Sequence, residues 1–169
     1  MIDPTKEPLY ITSVEEVVWG IILVGSTLII HAFGMLLTQH FSNEFRQQLG
    51  GQVEERVPFL SGIGPIILAS WMIVIVHCLE IVMWAGFFMW KDCFPSLSVA
   101  AYFSFLEYTT VGSAFNLPLK WRLLEGMIAT AGLLAFAWST GILMTLATAF
   151  QEQQLRLLRE RRSRSHVKT

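Results

Sequence analysis

Three stretches of the chain contain no Asp, Glu, Lys or Arg, and this spacing of charge limits the fold more than any other feature. They cover residues 17–43, 57–79 and 126–151. Each is longer than the ~20 residues that an α-helix needs to cross a hydrocarbon core ~30 Å thick. Because 53% of the residues are apolar and 15% are charged, a soluble globular domain is a poor fit. We predict an all-α integral membrane protein with three transmembrane helices.

The ends of these stretches divide the chain into successive segments. Ser13 and Glu16 form a capping-box pattern at the start of the first helix, in which Glu16 is expected to reach back to the amide of Ser13. The predicted segments are an extracytoplasmic N-terminal segment (1–16), a first transmembrane helix (17–39), a cytoplasmic loop (40–57), a second transmembrane helix (58–90), a pore segment (91–121), a third transmembrane helix (122–150) and a basic cytoplasmic tail (151–169).

Basic residues near the helix ends predict the orientation in a cell (inner) membrane. The tail contains five arginines and Lys168, whereas Lys6 is the one basic residue before the first helix. Basic segments stay in the cytoplasm, so we predict that the N-terminus lies outside and the C-terminus inside. The same cluster can attract anionic lipid at about 1 kcal/mol per cation, or it can simply fix the topology. No nucleic-acid partner is predicted.

The pore segment is apolar but too short to cross the membrane twice. Glu107 is its one charge between Cys93 and Leu119. We therefore predict a half-length helix that enters the membrane from about Pro95, turns, and returns as extended chain. Irregular backbone at that depth must be buried by protein or line water. The partially negative end of the half-helix favours a cation, and Gly112 permits the positive φ that directs carbonyl oxygens toward one axis.

Three segments together resemble the pore module of the potassium-channel superfamily, in particular its short bacterial ion-channel proteins. They are "VHCLEIVMWAGFF" from Val76, "YFSFLEYTTVG" from Tyr102 and "WRLLEGMIATAGLLAFAWSTGIL" from Trp121. The family filter signature is T-V-G-Y-G. The resemblance implies a re-entrant pore helix and filter loop before the last helix, and a cyclic homotetramer around one axis. It implies an ion filter at Thr110, Val111, Gly112, Ser113 and Ala114.

The filter departs from the family pattern in its outer half. Ser113 stands where the family has Tyr, and Ala114 stands where it has the second Gly. An L-residue in a left-handed conformation costs roughly 1–2 kcal/mol, so Ala114 is not expected to keep the family backbone. We predict a monovalent cation site at Thr110, Val111 and Gly112, reduced selectivity for K⁺ over Na⁺, and no cofactor besides the permeant ion. The alternative is a non-conducting scaffold or subunit.

Other residues are expected to support the filter or line the cavity. Glu107 and Thr109 are the predicted filter supports. Small residues on the last helix serve helix packing as well as they serve cavity lining, and Gly132 and Gly141 are candidate bending points. The candidate pore-lining residues are Thr130, Ala137, Thr140, Gly141, Met144 and Thr148.

Three ionisable residues fall inside the predicted membrane helices. His77 and Glu80 share a helix face, and His31 lies near the middle of the first helix. Such residues mark a functional site or a polar partner. A hydrogen-bonded strut is the favoured interpretation over a proton sensor or a metal site. A rival from another class is haem ligation by His31 and His77.

Two further expectations concern activity and depth. No hydrolase, metalloprotease or phosphate-loop motif occurs in the sequence, so no enzymatic activity is predicted. Trp84, Trp90 and Trp121 are expected to mark the outer membrane interface, where tryptophan is enriched.

Overall fold

The computed structural model describes residues 10–50 and 59–166, and these residues are almost entirely helical. No β-strand occurs in the two described ranges. Three helices contain spans long and apolar enough to cross a membrane, at Val14–Gln48, Ile63–Trp90 and Leu119–Arg156. The prediction of an all-helical protein with three such helices is confirmed. The elements are α1 (Val14–Gly50), α2 (Phe59–Trp90), α3 (Leu97–Tyr108), a 3-10 turn (Leu119–Trp121) and α4 (Leu123–His166).

One predicted boundary is corrected, because α1 continues past its apolar stretch through residues 40–50 of the predicted loop 40–57. α4 runs through most of the predicted tail to His166. Charged and amide side chains such as Arg, Glu and Gln are good helix formers, so charge marks the end of the apolar span and not the end of the helix. Residues 51–57 of that loop lie outside the described residues, as do Lys6 and Lys168.

The chain divides into two compact units. The first unit comprises the described parts of Met1–His31 together with His77–Phe136, and it includes all of α3. The second unit comprises the described parts of Ala32–Val76 and Ala137–Thr169.

Large aromatic side chains fill the core of the first unit. Trp84, Phe88, Phe103 and Tyr108 are each fully buried. The indole Nε1 of Trp84 donates a hydrogen bond of 2.9 Å to Thr27 Oγ1. Trp84 was expected to mark the membrane interface, whereas its side chain lies in the core of the first unit. A buried indole needs an acceptor for its N–H, and the hydroxyl of Thr27 supplies one.

The second unit has a smaller core made of aliphatic side chains and Met. Met35, Ile73, Val76 and Ile142 form its cluster of buried apolar residues. A Cβ added to Gly34 would collide with the side chain of Val76. Because Gly34 has no side chain, α1 and α2 can approach each other closely at this point.

The start of α1 is joined to the start of α4 inside the first unit. Ser13 Oγ accepts a hydrogen bond of 3.1 Å from the amide of Glu16, as the capping-box pattern predicts. The carboxylate of Glu16 accepts instead from Tyr10 Oη at 3.0 Å and from the amide of Leu123 at 2.6 Å, so the reciprocal half of the box is replaced. The first amides of a helix lack intrahelical partners and carry partial positive charge, which makes α4 a suitable partner for a buried carboxylate.

A lysine surrounded by tryptophans forms the rim of the first unit. The Lys91 ammonium lies 4.9 Å, 4.2 Å and 5.2 Å from the ring centroids of Trp19, Trp90 and Trp121. Lys91 and Lys120 also lie 3.7 Å and 2.8 Å from the carboxylate oxygens of Glu15. Tryptophan rings, which have a polar and an apolar part, are typical of membrane interfaces. The faces of these rings also stabilise a neighbouring cation such as the Lys91 ammonium.

Candidate functional site

Helix α3 begins at a side-chain cap. Ser96 has extended backbone, and its Oγ accepts a hydrogen bond of 3.4 Å from the amide of Val99. Pro95 precedes this cap, as the sequence predicts. One face of α3 is buried in the first unit, and the buried residues on it are Ala100, Phe103, Ser104 and Tyr108.

Helix α3 ends in a tight turn of the Schellman type. The amide of Val111 donates to the carbonyl of Leu106 at 3.0 Å, and the amide of Thr110 donates to the carbonyl of Glu107 at 3.0 Å. Thr110 occupies the left-handed position of this motif with φ 61, where glycine is usual. Gly112 follows with φ 81 and has the positive φ that the sequence predicts. The carbonyl oxygens of Leu106 and Glu107 therefore accept hydrogen bonds within the turn. The sequence predicts instead that the end of this helix faces a cation.

The Glu107 carboxylate holds the chain that leaves this turn. Its Oε1 accepts a hydrogen bond of 2.8 Å from the amide of Ser113. The hydroxyl of Thr109 donates to the carbonyl of Phe105 at 2.8 Å. Ala114 is not among the described residues with positive φ, and therefore its backbone differs from that of a filter glycine.

The filter residues of the sequence analysis lie at the surface of the single chain. Val111 is 72% exposed. Thr110, Gly112 and Ala114 are also exposed, and Ser113 is half-buried. A Cβ added to Gly112 would meet no atom within 4 Å. The turn Thr109–Ala114 is thus anchored through Leu106 and Glu107 and open on its other side.

A buried polar cluster joins three helices beside the end of α3. Glu80 Oε1 lies 3.0 Å from His31 Nδ1, and Glu80 Oε2 lies 3.4 Å from His77 Nδ1. The Tyr108 hydroxyl donates a hydrogen bond to Glu80 Oε2 and lies 2.9 Å from His77 Nδ1. We name these four residues the His–Glu–Tyr cluster. It brings together all three ionisable residues singled out from the sequence and adds Tyr108, which the sequence analysis missed.

The surroundings of the cluster are apolar and closely packed. His31 and Glu80 are fully buried, and His77 is 8% exposed. The ring of Phe136 on α4 lies 4.5 Å from the ring of His77, measured between centroids. A Cβ added to Gly132 would collide with the backbone carbonyl oxygen of Tyr108. Gly132 is therefore a close-contact residue between α4 and the end of α3.

The cluster lies far along the helices from the tryptophan rim. At ~1.5 Å per residue, Glu80 is about 15 Å from Trp90 along α2, and His31 is about 18 Å from Trp19 along α1. Both distances are close to half of a ~30 Å hydrocarbon core. The 12 residues of α3 correspond to about 18 Å of helix, so its length matches the distance from the rim to the cluster.

The candidate pore-lining residues of α4 share one property, which is exposure in the single chain. This exposed set is consistent with contact to water, lipid or another copy of the chain. Gly141 differs from Gly132, because a Cβ at Gly141 would meet no atom within 4 Å. The exposed candidates are Thr130, Ala137, Thr140, Gly141, Met144 and Thr148.

The geometry of the cluster does not fit a haem. Bis-His ligation places the two imidazoles on opposite faces of the macrocycle. Here the Nδ1 atoms of His31 and His77 contact the same carboxylate, and the two ring centroids are 5.3 Å apart. Glu80 occupies the space that a macrocycle would need.

Comparison with known proteins finds no family model, no curated protein and no solved structure that matches this chain.

Proposed function

We propose that this chain is a potassium-channel-like, pore-forming membrane subunit that conducts monovalent cations as a cyclic homotetramer. In this proposal α3 is the re-entrant pore helix, residues 110–114 are the ion filter, and α4 lines the inner cavity. The N-terminus lies outside the cell membrane and the basic tail lies in the cytoplasm. The observation that carries the proposal is the turn after α3, where positive φ at Thr110 and Gly112 flanks an exposed Val111.

Backbone strain at Thr110 supports a functional role for this turn. A β-branched residue is a genuine outlier at positive φ, and such conformations cost about 1–3 kcal/mol. Strain of this size persists only where the surroundings impose it, and the Schellman bonds to Leu106 and Glu107 do so. The turn then exposes its backbone, which suits carbonyl oxygens that replace the hydration shell of an ion.

The position and the surface of α3 support re-entry and oligomerisation. The last residue of α3, Tyr108, bonds to the other members of the His–Glu–Tyr cluster. These members lie near the middle of the proposed membrane spans of α1 and α2. Apolar residues on the opposite face of α3 are open, with Tyr102 56% exposed and Phe105 52% exposed. A single chain cannot enclose an ion pathway with one such turn, and closed cyclic symmetry supplies the remaining copies.

The outer half of the filter supports reduced selectivity. Ser113 is bonded through its amide to Glu107, and Ala114 lacks the positive φ of a filter glycine. The proposed filter therefore offers fewer carbonyl sites than a full T-V-G-Y-G sequence. We expect K⁺ and Na⁺ to permeate with similar ease.

Ion flux from liposomes tests the proposal. Purified full-length protein is reconstituted in vesicles loaded with K⁺ or Na⁺, and efflux is compared for wild type, Gly112→Ala and Gly86→Ala. Both substitutions add one methyl group in open space, because a Cβ at either position meets no atom within 4 Å. Only Gly112 has positive φ, so we expect flux to fall at least tenfold in Gly112→Ala and to remain unchanged in Gly86→Ala.

Two results would contradict the proposal of a pore, and a third would contradict only the argument for reduced selectivity. Equal flux in both glycine variants would show that the turn does not form the pathway. No flux from a correctly assembled oligomer under either ion gradient would favour the non-conducting scaffold. A strong preference for K⁺ over Na⁺ would contradict the selectivity argument while leaving the pore in place.

A further inference from the structure

The His–Glu–Tyr cluster has the ligand atoms of a metal site. One nitrogen of His31, one nitrogen of His77 and a carboxylate oxygen of Glu80 all lie within 4.8 Å of one another, and the three residues are buried. We propose that these residues bind a divalent transition-metal ion of the zinc class, with the Tyr108 oxygen at the fourth position. The proposal does not depend on conduction through the turn after α3.

Three distances between the ligand atoms are close to the edges of a coordination tetrahedron, although two of them are shorter. With metal–ligand bonds of about 2.0–2.2 Å, neighbouring corners of a tetrahedron are about 3.3–3.6 Å apart. His31 Nδ1 lies 3.0 Å from Glu80 Oε1, His77 Nδ1 lies 3.4 Å from Glu80 Oε2, and His77 Nδ1 lies 2.9 Å from Tyr108 Oη. Small rotations of the two imidazoles would allow one ion to replace the present hydrogen bonds.

The chemistry of the donors selects the class of ion. Two imidazoles with a carboxylate suit Zn²⁺, Co²⁺ and similar ions, whereas carboxylates and carbonyls without imidazole suit Mg²⁺ and Ca²⁺. Net charge is costly inside a membrane. The carboxylate of Glu80 together with the phenolate of Tyr108, whose proton would be released to solvent on metal binding, would balance the two charges of the ion, which supports Tyr108 as the fourth ligand.

The ligands come from three separate elements, so the ion would connect them. His31 belongs to α1, His77 and Glu80 belong to α2, and Tyr108 is the last residue of α3. Thr109 and Thr110 follow directly. A bound ion would therefore fix the end of α3 to both neighbouring helices, immediately before the strained turn.

Cobalt titration tests the site without any measurement of transport. Full-length protein carrying Cys78→Ser and Cys93→Ser is purified in detergent through a histidine-free tag, treated with a chelator and titrated with Co²⁺. We expect the intense visible bands of tetrahedral Co²⁺ and one Co²⁺ per chain by elemental analysis. Glu80→Gln should abolish the bands, and Tyr108→Phe should lower the affinity at least about 10-fold, since the proposed fourth ligand is lost.

A surface pair of the same residue types is the matched control. His40 and Glu44 are 3.3 Å apart, with side chains 62% and 53% exposed. We expect His40→Gln to bind Co²⁺ as the parent protein does. A parent protein without tetrahedral bands, or a folded Glu80→Gln variant with unchanged bands, would overturn the proposal. Unchanged affinity in Tyr108→Phe would overturn the assignment of the fourth ligand.

A variant that replaces one ligand with another keeps the test decisive if Glu80→Gln does not fold. His31→Cys in the cysteine-free background places a single thiol at the site. We expect Co²⁺ to give an additional sulfur-to-metal charge-transfer band in the near ultraviolet. A folded His31→Cys protein that lacks this band would show that the residue at position 31 does not contact the ion. Failure of the liposome flux experiment would leave these results unaffected.

Discussion

The two compact units of this protein are stabilised by different kinds of contact. The first unit contains a buried carboxylate, two imidazoles, a tyrosine and several aromatic rings in tilted and edge-to-face contact. The second unit depends on a few aliphatic side chains, on Met35 and on the close approach at Gly34. Directional bonds select one arrangement of groups, whereas aliphatic contacts tolerate small shifts. The residues proposed for the filter and for the metal site all belong to the unit with directional bonds.

The largest expected difference between the units is in the response to loss of a carboxylate. Glu80→Gln removes the carboxylate that two buried imidazoles and the Tyr108 hydroxyl contact in the first unit, and each buried polar group left without its partner costs about 1–3 kcal/mol. Glu44→Gln breaks an exposed pair in the second unit and should cost about 0.3–0.5 kcal/mol. Free energies of unfolding in mixed micelles measure both. Equal losses would remove the distinction between the two units.

The next largest effect is expected from a single added methyl group. Gly132→Ala would press a Cβ against the backbone carbonyl of Tyr108 in the first unit, and overpacking costs about 1–3 kcal/mol. Gly141→Ala in the second unit adds the same group in open space and should be neutral or slightly stabilising, because Ala favours helix over Gly by about 1 kcal/mol. The thermal unfolding midpoint in detergent should fall in Gly132→Ala and should stay the same or rise slightly in Gly141→Ala. Parallel shifts would contradict the contact at Gly132.

Replacement of tryptophan should have a smaller effect that also differs between the units. Trp84→Phe removes the hydrogen bond to Thr27 and leaves a hydroxyl without its donor, at a cost of about 1 kcal/mol. Trp71 in the second unit is 66% exposed, and Trp71→Phe should change stability by less than about 0.5 kcal/mol. Urea unfolding in micelles provides the comparison. A larger loss at Trp71 would mean that its exposed ring is covered in the assembled protein.

The smallest expected effect is a gain in stability. Ser104 Oγ is buried without a hydrogen-bond partner among the described residues. Ser104→Ala should therefore stabilise the first unit by about 0.5–1 kcal/mol, since a desolvated hydroxyl is removed. In the second unit Ser42 Oγ donates to the carbonyl of Pro65 at 3.4 Å, so Ser42→Ala should destabilise slightly. Calorimetric midpoints of the two variants should move in opposite directions, and a destabilised Ser104→Ala would reveal an additional partner for that hydroxyl.

The sequence predicts local features of this fold better than contacts between helices. Charge-free stretches located the three long helices, and Pro95 and Ser96 located the start of α3, because these signals depend on neighbouring residues. The pairing of Glu16 with Leu123 was missed, since a capping-box pattern cannot show that a stronger partner lies on another helix. Gly132 and Gly141 looked equivalent for the same reason.

The candidate site was predicted in part. His77 and Glu80 were placed on one helix face by their spacing. Tyr108 was overlooked, although a hydroxyl at the end of an apolar half-helix requires a buried partner and was a usable signal. The positive φ of Thr110 could not be foreseen, because glycine is the usual residue at that position of a helix end and threonine gives no hint of it.

The bond between Glu16 and Leu123 has a consequence for biosynthesis. The two residues are separated by 107 positions, so Glu16 is made and α1 reaches the membrane well before its partner exists. At ~5–20 residues per second, the interval is roughly 5–20 s. During this time the carboxylate lacks its bond to the amide of Leu123. A nascent chain truncated before Leu123 should therefore leave Glu16 more accessible to aqueous reagents.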